Sequence, residues 1–318
     1  MQQGKFIISL DFELHWGAAE KWDLNAMKGY FDATRTSIPE VLALFSKYDI
    51  HATWATVGFL FAKSRQQLLE FLPTQRPTYD NKSLLYYKLI DNGEVGTDEI
   101  NDPYHFAPSL ISQIIATPNQ ELGTHTFAHY YCNEAGQNEA QFEADIQAAQ
   151  ALAKENYNTI LQSLVFPRNQ FNPAYSEVAR RNGIKVVRSN PDVWFWNSRS
   201  KFSPIARALD TLMPISSSVT FKQPKVAESQ VLLLPASRFL RPYTHRERHI
   251  TALKLARIKS EMLYAAKNGT CYHLWWHPHN FGYETHRNMN DLEDLLKYYK
   301  QLNADHGFAS ASMIEMYQ

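Results

Sequence analysis

Charge of one sign, cysteine and long apolar runs are all scarce in this chain, and each shortage removes a class of function. Lysine plus arginine number 32 and aspartate plus glutamate 32, so no net field draws the protein to nucleic acid or to an anionic membrane. The 318 residues contain two cysteines, Cys132 and Cys271. They give neither a disulfide framework nor a Cys-x-x-Cys metal knuckle. No apolar run approaches the ~20 residues that span a bilayer. The opening "MQQGKFIISLDFE" enters an apolar stretch almost at once, without a basic leader or a small-residue cleavage pattern. These absences set the expectation of a soluble, cytoplasmic protein with no membrane span and no nucleic-acid partner. No GxGxxG or GxxxxGKS follows a strand pattern, which argues against Rossmann and P-loop nucleotide binding.

Aromatic residues, by contrast, are plentiful at 13%, with 7 Trp and 17 Tyr. Such side chains stack well on flat ligand faces, and sugar rings offer those faces. Short β-rich runs alternate with helical patterns along most of the length. "KFIISLDF" (5–12) predicts a buried strand and "TSIPEVLALFSKYDI" (36–50) the helix after it. "HATWATVGFL" (51–60), "LQSLVFP" (161–167), "IKVVRS" (184–189), "SQVLLLPAS" (229–237), "TCYHLWWHP" (270–278) and "FASAS" (308–312) predict further strands. Between them, 62–72, 138–157, 173–183, 245–269 and 289–307 carry helical periodicity. Repeated strand–helix units of this kind predict an α/β fold on a parallel sheet, open or closed into a barrel. Two stretches, 73–104 and 190–228, fit no unit. Loops this long in a compact domain serve as rims or lids. One domain over 1–318 is expected.

In a parallel α/β architecture the active site forms at the carboxyl ends of the strands, and the reactive side chains gather there. Asp11 and Glu13 end the first strand, two apart on an extended segment, so both emerge on one face. Paired carboxylates in a sheet need a cation or a shared proton; the bland alternative is one helix cap and one solvated acid. His125 and His129 in "ELGTHTFAHYY" are four apart, a spacing that on a helix turns both imidazoles the same way. Either they clamp a metal or they merely share a helix. Arg168 follows "SLVFP", Arg238 and Arg241 follow "VLLLPAS", and His277 and His279 follow "TCYHLWW".

The set "SLDFE", "HTFAH", "FPR" and "HLWWHP", in this order, resembles the NodB-homology polysaccharide deacetylases (carbohydrate esterase family 4), in a branch with a spaced Asp-x-Glu pair. The resemblance runs from the first strand to the last. It implies a deformed (β/α) barrel and one divalent metal ion, usually Zn2+, held by an acid and the two histidines of an H-[ST]-x-x-H motif. Carried over residue by residue, it makes Asp11 the general base, Glu13, His125 and His129 the metal ligands, Arg168 the residue that orients the base, and His277 the general acid. The chain departs from the family pattern in three places. Asp-Phe-Glu replaces adjacent aspartates, which leaves the roles of Asp11 and Glu13 exchangeable. "FPRNQFNP" keeps only the arginine of the third motif. "PASRFLRPY" stands where an aspartate would tune the catalytic histidine. His279 remains the alternative acid, two residues on, where the chain should already be leaving the rim.

Other signals are weaker. "HRERH" (245–249) has its glutamate at the wrong step for a zinc protease, and its basic neighbours point to a solvated face. Trp275 and Trp276 suit the barrel wall, and Cys132 a small buried thiol. Trp194 and Trp196, in the 190–228 excursion, are the expected sugar-stacking residues. The function expected is metal-dependent removal of an N-acyl group, acetyl above all, from an amino sugar. The substrate would be a nucleotide- or lipid-diphosphate-linked precursor of surface polysaccharide, with Arg238 and Arg241 toward its phosphate. Two rivals stand beside it: a C–N hydrolase of small cyclic amides, allantoinase-like, and a non-catalytic sugar-binding protein on the same barrel.

Overall fold

A computed structural model describes residues 3–191, 193, 219–227 and 230–317. Nine strands occur among them: β1 (Lys5–Phe12), β2 (Ala52–Thr56), β3 (Gln120–Thr124), β4 (Ser163–Val165), β5 (Val186–Ser189), β6 (Leu232–Pro235), β7 (Arg238–Phe239), β8 (Cys271–Trp276) and β9 (Ala309–Ala311). They pair in parallel in the order β6-β5-β4-β3-β2-β1-β8-β7, with β9 beside the start of β1. The two edges of this sheet are tied by consecutive residues. Ala236 donates its N–H to Ser189 O of β5, and Ser237 donates its own to His273 O of β8. The sheet thus curls into the deformed (β/α) barrel that the resemblance implies.

The sequence of β1 shows why the barrel has two cores. Phe6, Ile8, Leu10 and Phe12 point outward into the large cluster shared with the helices. Ile7 points inward, joining Ala55, Val165, Val186, Leu232, Leu234 and Cys271. A strand covered on both faces reads as a continuous apolar run rather than an alternating one. Higher up the same inward face stand Ser9 and Asp11, fully buried and 2% exposed. The barrel interior is therefore oily at its base and polar at its mouth.

The helices among the described residues are α1 (Leu24–Tyr48), α2 (Arg65–Glu70), α3 (Tyr87–Asp91), α4 (Pro108–Ala116), α5 (Glu139–Tyr157), α6 (Pro173–Arg181), α7 (Thr251–Asn268) and α8 (Thr285–His306). α1 begins twelve residues before the expected start. Asp23 caps it by accepting N–H bonds from Asn25 and Ala26, a satisfaction of free helix donors that apolar periodicity does not report. The β2 strand is shorter than expected, because Gly58–Phe61 coil into a 3-10 turn. Of the two excursions, 73–104 carries α3 and a 3-10 turn at Lys82–Leu84, and most of 190–228 lies outside the described residues.

Candidate active site and metal centre

Two carboxylates and four imidazoles meet at the mouth. Glu13 leaves β1 just above Asp11 and is 3% exposed. Its Oε1 lies 3.0 Å from His125 Nε2, 3.2 Å from His129 Nε2 and 3.7 Å from His277 Nε2; its Oε2 lies 3.7 Å from His279 Nδ1. The position depends on Gly17, where a Cβ would come within 2.8 Å of Glu13 Cβ and collide with its carboxylate. Burial pushes the Glu13 carboxyl up, but His277, His125 and His129 outweigh it and hold the group well below the usual carboxylate range.

The "HTFAH" segment is not helical, contrary to the expectation from its spacing. It is a loop in which Thr126 and His129 take left-handed backbone angles, φ 65° and 54°. Such angles strain non-glycine residues, a β-branched one above all. Asp145, buried on α5, holds the loop by accepting N–H bonds from Phe127 (2.6 Å) and Ala128 (3.0 Å). Burial pushes Asp145 up to about 7, against those two donors. Thr126 Oγ1 accepts a further bond from Tyr130 N at 2.6 Å. Buried Gly58 presses on the loop from below, where a Cβ would stand 2.8 Å from Phe127 Cα. The two imidazoles converge through this enforced turn.

The set fits a divalent ion. Glu13, His125 and His129 place one ligand atom each within 4.8 Å of one another, all buried. Two ligands of a tetrahedral ion bound at about 2.0–2.1 Å stand roughly 3.3 Å apart, close to the 3.0 and 3.2 Å seen between Glu13 Oε1 and the imidazoles. His125 Nε2, although that near, is not aligned for a hydrogen bond, and both its ring nitrogens are buried without one. Burial pulls the His129 imidazole down more than Glu13 raises it, which favours the neutral ring that ligation needs.

Asp11 is held by an arginine, but not by the expected one. Arg188 of β5 reaches across the barrel and donates to both Asp11 oxygens at 2.7 Å, and to Ser9 Oγ and Asn169 Oδ1. It is 2% exposed and its guanidinium carbon lies over the Trp275 ring, 4.3 Å from the centroid. Burial raises the Asp11 carboxyl, but Arg188, His125 and His277 together bring it below its ordinary value. Arg168, expected in this role, turns away to Glu20 and packs on the Tyr131 ring. Its backbone takes φ 52°, as Asn169 takes φ 51°, and this reversal at the end of β4 carries the guanidinium outward.

His277 follows β8 and is the one ring of the group with appreciable exposure, 25%. Its Nε2 lies 3.8 Å from Asp11 Oδ2. His279 was expected to leave the rim; instead it is buried, nearly parallel to His277 at 4.9 Å between centroids. The 3-10 turn at Pro278–Gly282 folds it back under Glu13. Burial, with His277 beside it, pushes the His279 ring down to about 3.

The two arginines expected to meet phosphate are already paired. Arg238 binds Glu261 at 2.7 and 2.5 Å and is 8% exposed, and Arg241 binds Glu247 at 2.9 Å. Both guanidinium groups are thus engaged by carboxylates, and the two side chains also line one small cavity with Phe239, Lys254 and Asn288. Trp194 and Trp196 lie outside the described residues. His245, Arg246, Arg248 and His249 are exposed, as expected of a solvated face. Cys132 is buried with its thiol pushed up to about 12 by burial. The reading from sequence missed Arg188, Ser9 and His273 inside the barrel, and Tyr131, Tyr86 and Glu20 behind His129. Polar residues inside apolar strands, "IISLD", "VVRS" and "CYHLWW", were the available signal for the first three.

The profile of the polysaccharide deacetylase family matches residues 28–187. No curated protein matches the chain. Among solved structures, similar folds include a protein assigned as a polysaccharide deacetylase from Mycobacterium smegmatis, at 11% identity and TM-score 0.61 over 99% of this chain and 90% of that one. Another, assigned likewise, from Pseudomonas aeruginosa PAO1, gives 12% identity and TM-score 0.56 over 98% and 88%. The Puue allantoinase gives 11% and 0.53 over 98% and 87%. At such identities these likenesses speak for the fold alone. The family match over half the chain, on a barrel that gathers its motif residues at one mouth, places this chain in the polysaccharide deacetylase family, hydrolases of carbon–nitrogen bonds.

Proposed function

We propose that the chain removes an N-acyl group, acetyl in the first instance, from an amino sugar, with a divalent ion, Zn2+, held by Glu13, His125 and His129. One observation carries the reading: a buried carboxylate and two buried imidazoles converge within ligand distance, with Asp11 and His277 beside them. The bound ion would supply Lewis acidity toward the amide carbonyl and lower the pKa of a water. The remaining work falls to the chain. Arg188 keeps Asp11 ionised, so that this carboxylate accepts a proton from the attacking water rather than donating one. His277, partly open to solvent, is placed to protonate the departing amine. Burial pushes the His279 ring down, which makes it the poorer proton donor of the two.

The allantoinase-like reading shares the fold, but a metal-free version of it leaves the Glu13, His125 and His129 set without a use. For the substrate we favour a nucleotide- or lipid-diphosphate-linked precursor of surface polysaccharide, acted on in the cytoplasm. Acetate release from an N-acetylhexosamine on a nucleoside diphosphate, compared with acetate release from chitin oligomers and with ring opening of allantoin, tests both points. Release from an N-acetyl sugar that disappears in Asp11→Asn supports the proposal. Hydrolysis of allantoin alone would overturn it.

A further inference from the structure

Behind His129 runs a line of hydrogen bonds that leads from the barrel mouth to an ion pair. His129 Nδ1 lies 2.9 Å from Tyr131 Oη, and Tyr131 Oη lies 2.8 Å from Tyr86 Oη. Tyr86 donates to Glu20 Oε2, and Arg168 donates to Glu20 Oε1. Both tyrosines are buried, at 0% and 2% exposure, and the Glu20 side chain is 7% exposed. Arg168 also stacks on the Tyr131 ring at 4.4 Å, and the Tyr86 ring lies nearly parallel to that of His129. Four separate segments supply these groups, so the line is tertiary rather than local.

Counting protons gives the line a direction. A carboxylate only accepts, and each phenol has one proton to give. Tyr86 gives its proton to Glu20, whose charge Arg168 balances. Tyr131 must then give its proton to Tyr86. The Tyr131 oxygen can meet His129 Nδ1 only as an acceptor, so the proton of that ring sits on Nδ1. His129 Nε2 is left with its lone pair, facing Glu13 Oε1 at 3.2 Å. Two lone pairs that close repel unless a cation lies between them.

We propose that Tyr131, Tyr86 and Glu20, closed by Arg168, are positioning residues that lock His129 in the Nδ1–H tautomer and thereby set the affinity of the metal centre. The inference rests on the metal reading above, and it gives Arg168 a place it lacks at Asp11. Partners that orient a ligating imidazole typically contribute about 10–100-fold to metal affinity.

The test uses full-length protein with Tyr131→Phe and Tyr86→Phe, which keep the rings and remove only the hydroxyls. Zinc affinity is measured by competition with a chromophoric chelator. The His129 tautomer is read from ring 15N shifts of the metal-free protein at mildly alkaline pH. The expected result is a single Nδ1–H tautomer in the unmodified protein. Tyr131→Phe should bind zinc ~10–100-fold more weakly, and Tyr86→Phe more weakly by a smaller factor, each with a mixture of tautomers. Should Tyr131→Phe fail to fold, the unmodified protein and Tyr86→Phe decide. An Nε2–H tautomer in the unmodified protein, or unchanged affinity and tautomer in the variants, overturns the proposal. If the unmodified protein binds zinc no better than His125→Ala, the metal reading fails instead, and the 15N spectra still judge the relay.

Discussion

Arg188 and Asp11, 177 residues apart, meet inside the barrel in a two-pronged ion pair with both contacts at 2.7 Å. β5 and β1 are separated by three intervening strands, so the pair spans the interior rather than neighbouring strands. Below it, Arg188 also donates to Ser9, which leaves the Ser9 hydroxyl free to donate to His273 Nε2 at 2.8 Å; His273 Nδ1 in turn donates to Pro235 O. Charge at the mouth is thus fixed by a polar layer laid directly on the apolar base.

Breaking a buried ion pair leaves one uncompensated charge, which costs about 3–5 kcal/mol. Asp11→Asn and Arg188→Gln should each lose that much in denaturant unfolding. The double variant should lose clearly less than their sum, because removing both leaves no stranded charge. Arg168→Gln removes a guanidinium that is 31% exposed, although its partner Glu20 is buried, and should cost less than Arg188→Gln. Additive losses in the double variant would speak against the pairing.

Asp11 and Glu13 should separate by readout. Asp11→Asn is expected to retain metal and to lose turnover by ~10²–10⁴-fold, the usual cost of removing a general base. Glu13→Gln is expected to lose metal first. Metal content and acetate release measured on both variants decide the assignment; the reverse pattern means that the two acids exchange roles.

For the acid, His277→Gln should reduce turnover strongly with fold and metal intact. His279→Gln should reduce it less, since that ring is buried and pushed to about 3. Near-normal turnover in His277→Gln would remove it from the mechanism.

His273 makes stability depend on pH. Burial, with Arg188 nearby, pushes it from 6.5 down to about 3, so the folded chain binds fewer protons than the unfolded chain between those values. Its contribution is complete above pH 6.5 and is lost as pH falls toward 3. Between pH 7 and pH 5 the loss from this group is about 2 kcal/mol. His273→Gln keeps a polar side chain without that titration, so its stability should decline less over the same interval. An equal decline in both proteins, by urea unfolding at the two pH values, would show that His273 is not the group responsible.

Much of this was legible in the chain. The doubly buried β1 follows from "KFIISLDF", and its acids two apart fall on one face because strands alternate. The strand-end motifs mark the residues that the barrel gathers. What stayed hidden was long-range or conformational. Nothing in "HTFAH" states that Thr126 and His129 turn left-handed, since Asp145 and Gly58 enforce that from elsewhere. Arg168 and Arg188 are both arginines at strand ends, and only the backbone reversal at Arg168 and Asn169 tells which one reaches Asp11. Tyr86 lies in an excursion without pattern, so its place behind His129 could not be read from sequence.

The central claim is that Glu13, His125 and His129 hold the ion on which hydrolysis depends. Its most direct test is acetate release from an N-acetylated amino sugar by protein stripped with a chelator and titrated with zinc. The account predicts loss of activity on stripping and full recovery at one equivalent per chain, with His125→Ala and His129→Ala recovering nothing at that level. Undiminished release by stripped protein, or full zinc binding in both variants, would contradict it.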